Sequence, residues 1–189
     1  MDLPDIPSSP ILDHSVDLPL FPSVCPTELS CFVDAAHAND LRNRRSTTGF
    51  GCFLGGGVIA YRCKMQTVVA TSSTEAEFIA AVSAAKTVKY LRMILSDLGF
   101  TPTGPTVIFE DNQSAIHMVN SGKPTDRSRH IDIAYFAIQD WKARGDIVMQ
   151  HIAGIINPSD CLTKPVGWIL HARHSHRLMG FFTPWNLNC

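Results

Sequence analysis

The pattern of apolar runs predicts a mixed α/β fold, a five-stranded mixed sheet with helices on both faces. Three observations point there. Strand-like runs follow one another between Leu29 and Lys64, helical periodicity occupies Thr74 to Leu98, and two more strand-like runs, Thr106 to Phe109 and Ile147 to Ile152, alternate with helical segments.

Taken in order, residues 1–27 hold six of the 12 prolines and read as a proline-rich linker without a core of its own. The folded unit is expected over 28–167, with 168–189 as a C-terminal tail of helical potential. Leu29 to Ala36 reads as the first strand and Asn39 to Arg45 as a polar turn. Thr47 to Leu54 and Val58 to Lys64 are joined by Gly55-Gly56-Gly57 as a hairpin, making three antiparallel strands in a row. The long helix places Phe78, Ala81, Val82, Ala85, Val88, Leu91, Leu95 and Leu98 on one face, and Gly99 ends it. A short buried strand follows at Thr106 to Phe109, then a short helix from Asn112 to Asn120 closed by Gly122. The basic loop Lys123 to Arg129 leads into a helix from about Ile131 to Ala143, and Gly145-Asp146 turns the chain into Ile147 to Ile152. Pro158, behind Asn157 as cap, opens a final helix.

A chain of 189 residues, 45% hydrophobic and 17% charged, suits one globular domain rather than a disordered segment. Lys+Arg of 16 against Asp+Glu of 17 gives a net charge of -1, so nucleic-acid binding requires a local basic face or a neighbouring domain. The six cysteines are scattered without a C-x-x-C, which fits a reduced, intracellular setting, a cytoplasmic particle or the nucleus. The start, Met1-Asp2-Leu3-Pro4-Asp5, lacks the basic then apolar pattern of a secretory leader, and no run approaches eighteen apolar residues, so neither secretion nor a membrane span is expected.

Four acids stand out by position. Asp34 interrupts the apolar strand Phe32-Val33-Asp34-Ala35-Ala36, where a charge is costly unless a cation meets it. Glu77 lies in the first turn of the long helix, Asp111 ends the strand Val107-Ile108-Phe109, and Asp160 opens the final helix. Each of the last three also has a capping explanation. Glu75 and Glu77 can complete capping boxes with Ser72 and Thr74, Asp111 can cap the next helix, and Asp160 can favour a helix dipole from the third helical position. Capping explains nothing about Asp34. Were the four to converge without a cation, each pair at about 4 Å would repel by roughly 4 kcal/mol at an effective dielectric near 20. Oxygen-only ligands select hard ions, so magnesium or manganese is implied and zinc is not.

Residues from about Phe32 to Pro165 resemble the ribonuclease H domain of copia-type retrotransposon polyproteins, which lies C-terminal to reverse transcriptase. The resemblance runs through Phe32-Val33-Asp34-Ala35, Arg44-Arg45-Ser46-Thr47-Thr48-Gly49-Phe50, Phe53-Leu54-Gly55-Gly56 and Ser72-Ser73-Thr74-Glu75-Ala76-Glu77-Phe78. It continues through Asp111-Asn112-Gln113-Ser114-Ala115, Arg129-His130-Ile131-Asp132-Ile133 and Ser159-Asp160-Cys161-Leu162-Thr163-Lys164-Pro165. It implies a ribonuclease H-like fold and a two-metal hydrolase that cuts the RNA strand of an RNA/DNA hybrid during reverse transcription. Asp34, Glu77, Asp111 and Asp160 take the catalytic, metal-binding positions, with two Mg2+ ions, for which Mn2+ can substitute. Glu75 competes with Glu77, and the resemblance favours Glu77, because retroviral relatives place an acid just before the apolar residue that begins the buried stripe, here Phe78. Gln113 resembles the family's minor-groove contact; Asn112, Arg44, Arg45, Ser73 and Thr74 are the other substrate candidates. The reverse transcriptase domain of the same polyprotein is the expected partner, and no membrane is.

The sequence departs from its relatives at a few places: no histidine stands clearly on the loop after the fifth strand, as it does in the cellular and retroviral enzymes, His151 falling in the predicted strand itself, and Ala134 and Ser159 replace residues more usual in the family. Arg42, Arg44, Arg45 and Lys64, and separately Lys123, Arg127 and Arg129, are the candidate phosphate-facing cations. His171, His174 and His176, with Cys189, lack a paired ligand motif and read as part of the tail. Two other classes compete with the nuclease: a catalytically silent or host-adopted nucleic-acid-binding module that keeps the fold, and a transposase or integrase core. The latter needs only three acids, which the fourth at Asp160 argues against.

Overall fold

The structure, a computed structural model, describes residues 28–121 and 129–180. The proline-rich segment 1–27, Gly122, Lys123, Arg127 and Cys189 lie outside the described residues. Five strands form one mixed sheet in the order β3-β2-β1-β4-β5. β1 (Ser30–Ala36), β2 (Thr47–Leu54) and β3 (Gly57–Met65) are the expected antiparallel meander, and β4 (Thr106–Glu110) and β5 (Ile147–His151) extend it in parallel from β1. The β2–β3 turn needs its glycines. Gly55 and Gly56 have φ of 65° and 91° between the paired Leu54 and Gly57, as a two-residue hairpin turn demands.

Helix α1 (Ser73–Asp97) crosses β1 and β2. Ser72 caps it by accepting the Glu75 N–H at 3.1 Å, and Gly99, with φ of 86°, ends it. Ala76, Ala80, Ala81, Ala84 and Ala85 line its buried face, and such short side chains let the helix lie close to the sheet. The predicted stripe outlasts the burial: Leu91 and Leu95 are only partly covered, and Leu98 is 66% exposed. A 25-residue helix reaches about 37 Å, further than a strand of seven or eight residues at about 3.4 Å each, so its C-terminal turns overhang the sheet. Helices α2 (Gln113–Ser121) and α3 (Arg129–Ala143) complete this face over β4 and β5. The core between them gathers Val33, Phe50, Phe78, Ile108, Tyr135 and Ile138.

On the opposite face Phe32 stacks on Phe109 at 4.7 Å and meets Phe53 edge-on at 5.3 Å, with Ile152 and Ile156 alongside. Where the sequence predicts a helix from Pro158 and a tail of helical potential from 168, the chain makes a 3-10 turn, Gly154–Ile156, and two helices, α4 (Asp160–Thr163) and α5 (Trp168–Leu178), the first of a single turn. Pro165 is the physical reason: it forces Lys164 into extended backbone, φ -145° and ψ 153°, and the helix stops after one turn. α5 covers this face of the sheet. It adds Leu178 to the phenylalanine cluster and sets the Arg177 guanidinium 5.8 and 5.5 Å from the rings of Phe32 and Phe53, where burial lowers its pKa to about 10. No helix among the described residues is long and apolar enough to cross a membrane.

Candidate metal centre

The C-terminal ends of β1 and β4 and the start of α1 meet at one end of the sheet, and α4 packs there on the opposite face. Strand alternation decides which neighbour each side chain meets. Cys31, Val33 and Ala35 of β1 join the core beneath α1, so Asp34 shares the face of Phe32 and meets α4. Its carboxylate accepts a hydrogen bond from the Thr163 hydroxyl and lies 3.6 Å from Lys164 Nζ.

Buried polar pegs hold α4 in place. Asn157 Nδ2 donates to the Val33 carbonyl and Ser159 Oγ to that of Phe32, both at 2.8 Å, while Asn157 Oδ1 accepts the Ser159 N–H at 3.1 Å. Gly49, paired with Asp34 across β1 and β2, leaves the space: a Cβ there would come 2.5 Å from Thr163 Cγ2.

The capping explanations separate cleanly. Glu75 turns back to accept the Thr71 N–H at 2.6 Å and stays out of the site, whereas Glu77 is buried and takes a hydrogen bond from the Ala35 backbone. Asp111 follows β4 directly, but Asn112 caps α2, its Oδ1 accepting the Ala115 N–H at 3.0 Å. Asp111 Oδ2 instead lies against Gly154, where a Cβ would approach to 2.8 Å. Asp160 is the first residue of α4 rather than the third.

One carboxylate oxygen each from Asp34, Glu77 and Asp111 falls within 4.8 Å of the others. Asp160 stands beside them, its Oδ1 3.0 Å from the same Lys164 Nζ that faces Asp34. Crowded burial drives protons onto this group. Burial, then Asp34 and Asp111, pushes Glu77 up to about 9; burial, then Asp34, pushes Asp160 up to about 6, and the same two causes raise Asp111. For Lys164, burial acts downward, but Asp34 and Asp160 outweigh it and the ammonium is held more tightly protonated. Glu77 Oε2 is buried with no hydrogen-bond partner among the described residues, and every candidate ligand atom is a carboxylate oxygen. That donor set fits a hard divalent cation and does not fit zinc.

No family model matches the chain. Over 138 residues, 73% of its length, it is 36% identical to the retrovirus-related Pol polyprotein from transposon TNT 1-94 of Nicotiana tabacum, and 31% identical to that from transposon RE1 of Arabidopsis thaliana. It spans only 10% and 9% of those polyproteins. In fold it is similar to LC11-RNase H1, isolated from compost by a metagenomic approach, with a TM-score of 0.53 and 14% identity over 72% of this chain and 93% of that one. By sequence the chain is similar to retrotransposon Pol polyproteins, and its fold is that of ribonuclease H. The same compost protein has been solved in complex with an RNA/DNA hybrid, again at a TM-score of 0.53, with 13% identity over 72% of this chain and 94% of that one.

Around the acids, Gln113 is exposed at the start of α2, two residues beyond Asp111, and Ser73 is exposed with Thr74 half-buried at the head of α1. Arg44 is exposed and Arg45 half-buried on the β1–β2 loop, beyond the same end of β1 as Asp34. His151 is exposed at the end of β5, in register with Glu110. His174 is buried and held neutral, its pKa lowered to about 4 by burial and then by Arg173; among the described residues no histidine joins a group able to hold a metal.

Two groups at the site go beyond what the sequence marks. Glu110 is fully buried beside Glu77, its pKa raised well above the ordinary value by burial and then by Glu77; one oxygen accepts the Asn112 N–H at 3.0 Å. Alternation along β4 was the available signal, because Thr106, Ile108 and Glu110 share the face that meets α1. Lys164 was noted only as part of a matching block, and nothing local in the sequence marks it as the cation shared by Asp34 and Asp160.

Proposed function

We propose that this ribonuclease H domain is an endonuclease that hydrolyses the RNA strand of an RNA/DNA hybrid during retrotransposon reverse transcription, leaving a 3'-hydroxyl and a 5'-phosphate. The observation that supports it is the convergence of Asp34, Glu77 and Asp111, with Asp160 alongside, from four separate parts of the chain. Asp34 belongs to both halves of this arrangement and would bridge two Mg2+ ions, with Mn2+ able to substitute; Glu77 and Asp111 would hold one and Asp160 the other. Bound ions would supply an activated water on one side of the phosphodiester and charge stabilisation for the leaving oxygen on the other.

The protein's own groups orient and select. The Thr163 hydroxyl and the Ala35 N–H fix the carboxylates of Asp34 and Glu77. Gln113 and Asn112 would read the minor groove of the hybrid and its 2'-hydroxyls, while Ser73, Thr74, Arg44 and Arg45 would contact the backbone. A net charge of -1 leaves much of the affinity to the neighbouring reverse transcriptase domain, in an intracellular setting. Cleavage of a labelled RNA/DNA hybrid in Mg2+, wild type against Asp111→Asn, tests the proposal. Metal-dependent cuts in the RNA strand that the variant loses are expected. A folded wild type that cuts at no concentration would identify a silent, host-adopted binding module instead.

A further inference from the structure

The ammonium of Lys164 sits where a cation is needed. Its Nζ is 3.0 Å from Asp160 Oδ1 and 3.6 Å from Asp34 Oδ1, and both carboxylates are largely withdrawn from solvent. The lysine differs from them in mobility. Its side chain is 43% exposed, whereas its backbone is fixed between the end of α4 and Pro165, so the flexible stem can lift the ammonium into water without moving the helix. On the other flank, Glu77 and Asp111 have no salt bridge among the described residues and feel the Lys164 charge only from a distance. With Asp34 they bring three oxygens within 4.8 Å.

We infer that Lys164 is an exchangeable counter-ion which occupies the cation position between Asp34 and Asp160 in the metal-free domain and must be expelled before a divalent ion can load there. The inference rests on the metal reading of the site given above. It makes the two positions unequal. An ion entering among Asp34, Glu77 and Asp111 meets the ammonium only through Asp34, whereas one bound by Asp34 and Asp160 competes with it at both carboxylates, because a divalent ion at about 2.1 Å from Asp160 Oδ1 and an ammonium 3.0 Å from the same oxygen would repel each other at close range. Lys164 therefore sets the order of loading and weakens the second step.

Calorimetric titration of the full chain with Mn2+ tests this on wild type, Lys164→Met, Lys164→Arg and Asp111→Asn, with thermal melts of each in EDTA. Wild type should bind in a tight and a weak step; Lys164→Met should tighten the weak step by about tenfold and leave the tight one within about twofold, equivalent to roughly 1.4 kcal/mol of removed competition. Lys164→Arg should keep the weak step weak, and Lys164→Met should melt lower than wild type in EDTA. A merely structural role would move metal affinity the other way, so a Lys164→Met that binds the second ion no more tightly than wild type overturns the inference. Failure of the site reading looks different. Wild type would then take up no Mn2+, or Asp111→Asn would keep both steps, and the lysine would be a fixed clip on α4, which also overturns the inference.

Discussion

Replacing Glu77 by glutamine should stabilise the metal-free domain and destabilise the metal-loaded one. Burial, Asp34 and Asp111 hold the Glu77 carboxyl protonated up to about 9, against an ordinary value of 4.5. Between those two values the folded protein binds a proton that the unfolded chain has released, so this group's contribution to stability falls as pH rises from about 4.5 towards 9. At pH 7 this amounts to a cost of about 3 kcal/mol. A glutamine has no proton to take up, but it puts an extra amide hydrogen where the buried Oε2 has no partner, a loss of about 1 kcal/mol. The net gain of about 2 kcal/mol corresponds to a melting temperature raised by roughly 4–10 °C in EDTA at pH 7. At pH 5, close to the ordinary value of 4.5, the cost is under about 1 kcal/mol and the unpaired amide hydrogen cancels it. In saturating Mg2+ the order reverses, because only the wild type has the carboxylate to bind the ion. Scanning calorimetry of both proteins from pH 5 to pH 8, in EDTA and in Mg2+, measures all four quantities. A variant that melts below wild type in EDTA at pH 7, or a gap that does not widen with pH, would refute the reasoning.

Further substitutions probe the parts that position the acids. Gly154→Ala puts a methyl group 2.8 Å from Asp111 Oδ2, so hybrid cleavage should fall by more than about tenfold while the far-ultraviolet circular dichroism stays that of wild type. Asn157→Ala removes the peg to Val33 and the acceptor for Ser159, leaving buried groups unpaired at a cost of about 1–3 kcal/mol, read as a lower urea midpoint. Because Glu77 keeps its proton up to about 9, divalent-ion binding at pH 7 should release about one proton, measurable as a calorimetric enthalpy that varies with the ionisation enthalpy of the buffer.

Much of the fold was legible because periodicity is a local property. The Phe78 to Val88 stripe of α1, the glycine hairpin and the meander of β1 to β3 all follow from neighbours in the chain. Asp34 was legible for the opposite reason: a charge inside Phe32-Val33-Asp34-Ala35 violates the local pattern, and function is where such violations collect. What stayed hidden depended on distant partners. Asn157 binds the backbone of Val33, 124 residues away, and no spacing announces it. Glu110 lies beyond the predicted strand end at Phe109, yet it is buried beside Glu77. The helix after Pro158 came where it was expected, but it is one turn long, because Pro165 forbids its continuation.

The central claim is that Asp34, Glu77, Asp111 and Asp160 together hold two divalent cations. An anomalous difference map from a crystal soaked in Mn2+ measures this directly. Two peaks are expected, one bounded by Asp34, Glu77 and Asp111 and one between Asp34 and Asp160, with the Lys164 ammonium displaced from the second. Full soaking with no peak at these carboxylates, or with manganese only elsewhere on the surface, would contradict it.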